Sequence, residues 1–157
     1  MSDPDINALR QALGAFATGV TVVTTRIGND NPEGMTVNSF SAVSLQPPLV
    51  LWCAHRSIGP FDTFHQASHY AVHVLHAGQQ PLAEHFALDT DDKFSSVPFE
   101  SGIAGLPLLG DFAALFQCRV EQRLDGGDHE ILLGRILRME HRPAEPLLFH
   151  AGRFRII

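Results

Sequence analysis

The segment GMTVNSFSAVSLQPP, residues 34–48, carries polar side chains in the middle of an apolar stretch. Its composition predicts a β-strand, yet Asn38, Ser39 and Ser41 interrupt both faces that the alternation of a strand creates. Ser and Thr are common on sheet surfaces, and Asn38 could pair with a neighbouring backbone group. Because a buried polar group without a partner costs about 1 to 3 kcal/mol, several together favour a flat ligand with hydrogen-bonding edges, such as a heteroaromatic ring.

A second candidate is WCAHRS, residues 52–57, where an apolar strand runs out into Arg56 and Ser57. The planar guanidinium group and the serine hydroxyl both match phosphate oxygens, which favours a phosphate site. A solvated arginine at a strand end is the alternative interpretation.

A third candidate is the turn GGDH, residues 126–129. Gly-Gly-Asp is ordinary turn chemistry, and a histidine beside it could be structural or solvated. However, a histidine that leaves a tight turn is held in a fixed place, where its neutral or cationic imidazole can serve a ligand.

The nine histidines do not predict a metal site. His69 and His73 would lie about 13 Å apart on one side of a strand, and His65 with His69 would need one continuous helix, which the strand pattern contradicts. No metal is therefore expected. The sequence also lacks a G-x-S-x-G elbow, and no G-x-G-x-x-G follows a strand, so neither acyl transfer nor a Rossmann nucleotide site is supported.

Composition limits the classes of function. The 157 residues are 45% hydrophobic and 18% charged, with a mean hydropathy of +0.04. We expect one globular domain over residues 1–157 that buries about two-thirds of its unfolded surface. The formal net charge is −6 and no basic run occurs, which argues against nucleic-acid or anionic-membrane partners.

The two cysteines, Cys53 and Cys118, each lie in an apolar stretch. Small apolar packing is expected for both, ahead of a disulfide or a shared metal. The N-terminus lacks the features of a signal peptide, and no apolar run approaches about 18 residues. These features predict a soluble, cytoplasmic protein.

The spacing of apolar residues predicts the elements that must position the candidate side chains. A helix with Asp3 as its N-cap and Pro4 at its first position opens the chain and ends near Gly19. Strands are predicted over 20–25, 34–48, 49–54, 69–75, 113–124, 129–142 and near a turn at Gly152, with short helices over 59–67 and 79–88.

Two of these segments carry further expectations. Strand 49–54 is apolar throughout, as expected of a strand buried on both faces. Residues 89–110 lack strong periodicity, which is typical of a functional or disordered loop. Six or seven antiparallel strands with two or three short helices predict a mainly β fold, a small split barrel rather than a doubly wound sheet.

Six separated motifs, taken in order, resemble the flavin reductase family, which supplies reduced flavin to two-component flavin-dependent monooxygenases. They are LGAFATGVTVVTT, GMTVNSFSAVSLQPPLVLWC, RS, DKF, GGDHEILLG and PLLFHAGRF. The likeness runs from about residue 9 to the C-terminus. It implies a homodimeric, FMN-binding type of split barrel that oxidises NADH or NADPH, reduces FMN or FAD, and passes reduced flavin to an oxygenase partner.

The resemblance also implies which residues form the site. The residues expected to bind the flavin are Met35, Thr36, Val37, Asn38, Ser39, Cys53, Ala54, His55, Arg56, Ser57, Lys93 and Phe94. The first five follow the isoalloxazine edge, the next five lie near the ring and phosphate, and the last two belong to a loop that closes over the cofactor. The nicotinamide is expected beside His129, Arg153 and Phe154.

Roles in the reaction follow from the same resemblance. His129 is expected to orient the nicotinamide, and Ser39 with its backbone to help at flavin N5. In an acidic protein, Arg56, Lys93 and Arg153 would supply local counter-charges for two anionic nucleotides.

The sequence departs from the family pattern in two places. Phe154 replaces a common tyrosine, and Ile58–Pro60 replaces a stretch rich in hydroxyl groups, so the choice between FMN and FAD stays open. The alternative functions are a flavin-binding or flavin-sensing protein without turnover, and an oxidase of the pyridoxamine-phosphate type on a related barrel.

Overall fold

Twelve strands and three α-helices make up the fold in a computed structural model, which describes residues 1–157. The strands are β1 Thr18–Gly19, β2 Thr21–Thr25, β3 Glu33–Val37, β4 Ser41–Leu45, β5 Pro48–His55, β6 His69–Val74, β7 Phe99–Ser101, β8 Pro107–Leu109, β9 Ala114–Gly126, β10 His129–His141, β11 Leu148–His150 and β12 Arg153–Arg155. The helices are α1 Ile6–Gly14, α2 Phe61–Gln66 and α3 Gln80–Ala87, with 3₁₀ turns at Ala77–Gln79 and Ile103–Gly105.

Seven strands pair in one antiparallel sheet, in the order β3-β2-β6-β9-β10-β5-β4. The two edge strands, β3 and β4, are consecutive in the chain, so residues 38–40 cross from one edge of the sheet to the other. The sheet thereby curls back on itself as a split barrel. This confirms the predicted mainly β fold class.

The barrel is filled by the inward side chains of its strands, with Trp52 at the centre. The Trp52 ring lies 4.9 Å from that of Phe64 and 5.8 Å from that of Tyr70, both edge to face. Along β5 the inward side chains are buried, whereas the alternate ones, among them Leu51 and Cys53, are only half-buried. The prediction that this strand is buried on both faces was wrong, because its outer face forms part of the barrel wall.

The predicted strand over 34–48 is also corrected, since it is two strands. Val37 pairs with Thr21 at one edge of the sheet, and Ser41 pairs with Leu51 at the other. Residues 38–40 belong to neither ladder. The polar residues that interrupt the apolar pattern therefore mark the crossing between the two edges.

Helix α1 begins later and ends earlier than its sequence predicted. The N-cap is Asp5, whose carboxylate accepts a hydrogen bond from the Ala8 backbone N–H at 3.1 Å, and not Asp3. The helix ends at Gly14 because Thr18 and Gly19 pair with strand β11. No helix of the fold is both long enough and apolar enough to cross a membrane.

Residues 89–110 contain an ordered hairpin, β7 and β8, where the sequence showed no periodicity. The C-terminal segment likewise forms a hairpin, β11 and β12, which turns at Ala151 and Gly152 and pairs with β1. Both turn residues have positive φ, 50° and 76° respectively. The C-terminal hairpin forms one wall of the candidate site.

Candidate functional site

Ser39 ties the crossing segment 38–40 to strand β5. Its hydroxyl accepts a hydrogen bond from the Cys53 N–H at 3.0 Å and donates to the Cys53 carbonyl at 3.3 Å. The second bond uses the only proton of the hydroxyl. Ser39 therefore holds the local backbone in place, and a contact with a ligand at N5 would have to come from that backbone.

The other polar groups of this segment have different partners. The Thr36 hydroxyl donates to the Ala83 carbonyl at 2.6 Å, and the exposed Ser41 hydroxyl donates to the Ala42 carbonyl at 3.0 Å. The expectation that these hydroxyls need a ligand was wrong, because the backbone satisfies them. The Asn38 side chain is exposed and makes no hydrogen bond within the chain, so its carboxamide remains available.

Asn38 lies at the rim of an apolar cavity of about 200 Å³, which we call the ring cavity. Its walls come from the β1–β2 junction, β3, α3 and the C-terminal hairpin, and it is lined by Val20, Thr36, Val37, Asn38, Ala87, Phe149 and Phe154. The Phe149 and Phe154 rings meet edge to face at 5.3 Å. Apolar walls with one unpaired carboxamide at the edge fit a flat heteroaromatic ring.

Three predicted flavin-binding residues point into the barrel. The side chains of Met35, Val37 and Ala54 are buried, at 5%, 9% and 0% exposure. At Met35 and Ala54, only backbone groups are therefore left to contact a ligand.

A second group of predicted residues meets at the β9–β10 turn. His129 pairs with His55 in the ladder between β10 and β5, and their rings are 4.8 Å apart. The His129 Nδ1 atom lies 2.7 Å from Asp128 Oδ1, and this contact lowers the pKa of Asp128. Because a carboxylate only accepts, Nδ1 donates to it, which leaves Nε2 of the neutral ring as an acceptor.

Arg56 holds this turn against β5. Its Nε donates to the Gly127 carbonyl at 3.0 Å, and its Nη2 donates to the Asp125 carboxylate at 2.7 Å. The neighbouring Ser57 hydroxyl lies 2.9 Å from His55 Nδ1. Much of the Arg56 guanidinium group is therefore engaged in positioning the turn that carries His129.

The two groups of residues follow one outer face of β5. Ser39 is bonded to Cys53, and His129 lies opposite His55, two residues further along the strand. Two residues of a strand span about 7 Å. The half-buried Cys53 and His55 side chains therefore lie on the same face of β5, between the contact with Ser39 and the His129 ring.

Sequence reasoning missed Glu130, a buried carboxylate next to His129. It lies 2.8 Å from His65 Nδ1 and 3.4 Å from Arg123 Nη1, and Arg123 also donates to the Phe64 and Ala67 carbonyls of the α2 region. This network fastens α2 to the start of β10. The sequence does contain a signal for this buried carboxylate, since Glu130 is the one charged residue in the apolar run EILLG.

Lys93 and Phe94 pack against the start of β3 and against α3. The Lys93 ammonium is buried and donates to the Gly34 and Phe86 carbonyls, at 3.1 and 3.0 Å. Burial lowers the pKa of Lys93, while nearby Glu33 opposes that shift. Lys93 was expected to supply a local counter-charge to the nucleotides, whereas in the structure its ammonium group holds β3 to α3 through these two carbonyls. Arg153, by contrast, is exposed beside Phe154.

The histidines serve separate structural partners. His65 contacts Glu130, His69 contacts the Ser68 hydroxyl, and the buried His73 bridges the Val22 carbonyl and the Leu109 N–H. Burial lowers the pKa of His73 to about 4, so its ring is neutral. No group of three or more His, Cys, Asp or Glu side chains could hold a metal ion.

A further cavity, of about 390 Å³, lies against the β7–β8 hairpin. Phe99, Phe112 and Arg142 are among its lining residues, and none of the predicted site residues takes part. It is therefore separate from the ring cavity and from the β9–β10 turn that carries His129.

Comparison with known proteins identifies the family. The model of the "Flavin reductase like domain" family matches residues 13–157. This chain belongs to the flavin reductase family. It is an oxidoreductase that acts between a nicotinamide nucleotide, NADH or NADPH, and a flavin, FMN or FAD.

Three relatives of this flavin reductase illustrate the similarity. The FMN reductase (NADH) SmoA of Agrobacterium fabrum is 44% identical over 147 residues, covering 94% of this chain and 83% of SmoA. The NADH-dependent FAD reductase of Streptomyces globisporus is 42% identical over 153 residues, covering 94% and 83% of the two chains. The reductase component of the flavin-dependent trigonelline monooxygenase of Acinetobacter baylyi is 39% identical over 131 residues, and the match spans only 42% of that longer protein.

The fold of this flavin reductase is also that of a solved relative. The Streptomyces globisporus NADH:FAD oxidoreductase SgcE6, in complex with NAD and FAD fragments, superposes with a TM-score of 0.89 and 42% identity. The match covers 99% of this chain and 94% of SgcE6.

Proposed function

We propose that this flavin reductase takes a hydride from NADH, delivers it to FMN or FAD bound along residues 35–39, and releases reduced flavin to a separate oxygenase. NADH is the proposed donor because SmoA and the Streptomyces globisporus relative are both named as NADH-dependent. The oxygenase partner is proposed because the Acinetobacter baylyi relative is a reductase component of a monooxygenase. Residues 1–157 act as one flavin reductase domain in this proposal.

One observation carries the placement of the flavin. Asn38 presents an unpaired carboxamide at the mouth of an apolar cavity, whereas neighbouring hydroxyls are satisfied within the chain. When bound, the flavin supplies the ring that accepts the hydride. The chain supplies the apolar walls, the backbone edge of residues 36–39 and the Asn38 carboxamide, which together fix the orientation of the ring.

His129 is the residue proposed to orient the nicotinamide. Its Nε2 can accept a hydrogen bond from a carboxamide N–H, because Nδ1 is already turned toward Asp128. Arg56 keeps the turn in place through Gly127 and Asp125. Phe149 and Phe154 line the ring cavity and keep water away from one side of it. The hydride transfer then depends on the contact between the flavin ring and the nicotinamide ring.

The activity has a direct test that separates it from flavin binding without turnover. Purified protein is mixed with NADH and FMN, or with NADH and FAD, and absorbance at 340 nm is followed. We expect NADH loss that depends on both flavin and protein. Tight flavin retention without stimulated NADH loss would contradict the enzyme and favour a flavin-binding or flavin-sensing protein.

We also propose that the chain works as a homodimer in the cytoplasm. Strands β4 and β10 carry a set of four exposed apolar side chains, Val43, Leu45, Leu137 and Met139, with Leu45 at 95% exposure. An apolar surface of this kind is typical of a face covered by a second protein. The cytoplasmic location is supported by the free thiols Cys53 and Cys118 and by the nicotinamide donor.

Sedimentation equilibrium tests the homodimer. We expect a mass twice the 17.2 kDa of one chain, and we expect Leu45→Lys to shift the population toward the monomer while the far-ultraviolet circular dichroism stays unchanged. A lysine in place of the exposed Ile6, which lies on α1 and not on β4 or β10, is the matched control. A wild-type protein that sediments as a monomer would contradict the dimer.

A further inference from the structure

A second cavity adjoins the ring cavity and has a different chemical character. It has a volume of about 300 Å³ and lies between the end of α1, strand β1 and the C-terminal hairpin. Asn38 and Phe149 line both cavities. A ligand whose flat ring sits in the ring cavity can therefore extend directly into the second one.

This second cavity combines basic and aromatic side chains. Arg10 and His150 line it, together with the ring of Phe16, which is 79% exposed, and no carboxylate is among its lining residues. Arg10 makes no ion pair or hydrogen bond within the chain. In a chain of net charge −6, such a pocket selects for an anion that also carries a flat apolar group.

An unsatisfied hydroxyl lines the same cavity. Thr18 Oγ1 is buried and has no hydrogen-bond partner in the chain. A buried hydroxyl of this kind is destabilising unless a ligand or water supplies the missing partner. The ribose hydroxyls and phosphate oxygens of a nucleotide are suitable partners.

The walls of the cavity are held at a fixed distance. The Gly14 carbonyl at the end of α1 accepts a hydrogen bond from the Ala151 N–H at 2.9 Å. Ala151 itself has a φ of 50°, a left-handed conformation that is strained for a non-glycine residue. The hairpin therefore keeps a strained residue at the position where it meets α1, which holds Arg10 near His150.

We propose that this second cavity binds the adenosine diphosphate moiety that NADH and FAD share. Arg10 and His150 meet the diphosphate, Thr18 meets a ribose or phosphate oxygen, and Phe16 offers a flat face for the adenine ring. The inference rests on the proposed function, because it extends the dinucleotide away from the ring cavity. It adds a site that determines which nucleotides the enzyme prefers.

Steady-state kinetics with truncated substrates tests the proposal and distinguishes whether the adenosine diphosphate moiety in this cavity belongs to NADH or to FAD. The wild type and Arg10→Gln are first assayed with NADH and with reduced nicotinamide mononucleotide as donors, with FMN as the flavin. They are then assayed with FAD and with FMN as flavins, with NADH as the donor. If the donor occupies the site, the preference for NADH over the mononucleotide, as a ratio of kcat/KM, falls about fivefold. If the flavin occupies it, the preference for FAD over FMN falls by a similar factor.

Two further variants keep the test interpretable. Thr18→Val removes the unpaired hydroxyl with little change of shape, and it is expected to reduce the same preference as Arg10→Gln. Arg138→Gln, at an exposed position on β10, is the charge-matched control and should leave both preferences unchanged.

Free ADP provides an independent probe of the cavity. It is expected to inhibit the wild type and to inhibit Arg10→Gln about fivefold more weakly. If both preferences and the ADP inhibition are unchanged in Arg10→Gln, the site is overturned while the reductase activity stands. If the wild type shows no NADH loss, it is the proposed function that fails.

Discussion

Replacing His129 with alanine is expected to lower kcat/KM for NADH by at least about 10-fold, equivalent to about 1.4 kcal/mol of transition-state stabilisation. The imidazole is held by Asp128 on one side, so its free nitrogen is available to orient the nicotinamide. The KM for flavin should change by less than about threefold, because the ring cavity is built from other residues. The measurement is NADH oxidation at varied NADH and then at varied FMN.

Two companion variants sharpen this test. Asp128→Asn removes the carboxylate that fixes the ring, and we expect a smaller loss in the same direction. His69→Ala removes a half-buried histidine whose ring hydrogen-bonds only to the Ser68 hydroxyl, so it should leave both constants unchanged. If His129→Ala changed kcat/KM for NADH and KM for flavin by the same factor, the result would contradict the role of His129 in orienting the nicotinamide.

Gly134→Ala is expected to lower the free energy of unfolding by about 3 kcal/mol, which for a chain of this size lowers the Tm by roughly 10 °C. A methyl group at this position would lie 2.1 Å from the Tyr70 hydroxyl oxygen and 2.6 Å from its ring. Tyr70 is buried, packs edge to face on Trp52, and donates to the Leu132 carbonyl at 3.3 Å. The added methyl therefore has to displace a side chain at the centre of the barrel.

Thermal and urea unfolding of matched variants check this prediction. Gly110→Ala is the control, because a methyl group there meets nothing within 4 Å. Adding Tyr70→Phe should recover part of the loss caused by Gly134→Ala, since the closest clash is with the hydroxyl. A Gly134→Ala variant as stable as the Gly110→Ala control would contradict this prediction, because the core would then accommodate the methyl group without a loss of stability.

The sequence predicted the long hairpin well and the crossing segment poorly. Strands β9 and β10 follow from alternating side chains around a glycine-rich turn, which are local signals. The division of segment 34–48 at residues 38–40 depends on Ser39 bonding to Cys53, which lies 14 residues away. Both halves of the segment have strand composition, so the polar residues at the break did not distinguish a crossing between two strands from a single strand that faces a ligand.

The sequence identified the types of residue in the candidate site, but not which of their polar groups are free to bind a ligand. The polar residues of segment 34–48 were recognised, yet only the packed structure shows that Ala83 satisfies Thr36 and leaves Asn38 free. Lys93 was likewise recognised, although its burial against the Gly34 carbonyl cannot be read from its neighbours in the chain. Arg10 and Thr18 gave no sequence signal, because α1, β1 and the C-terminal hairpin meet only in the fold.

A crystal structure of the protein grown with FMN tests the placement of the flavin most directly. We expect the isoalloxazine ring against the backbone of residues 36–39, with its edge within hydrogen-bonding distance of the Asn38 carboxamide and Phe154 at its border. FMN bound instead in the 390 Å³ cavity beside Phe99 and Phe112, with the ring cavity left empty, would contradict it.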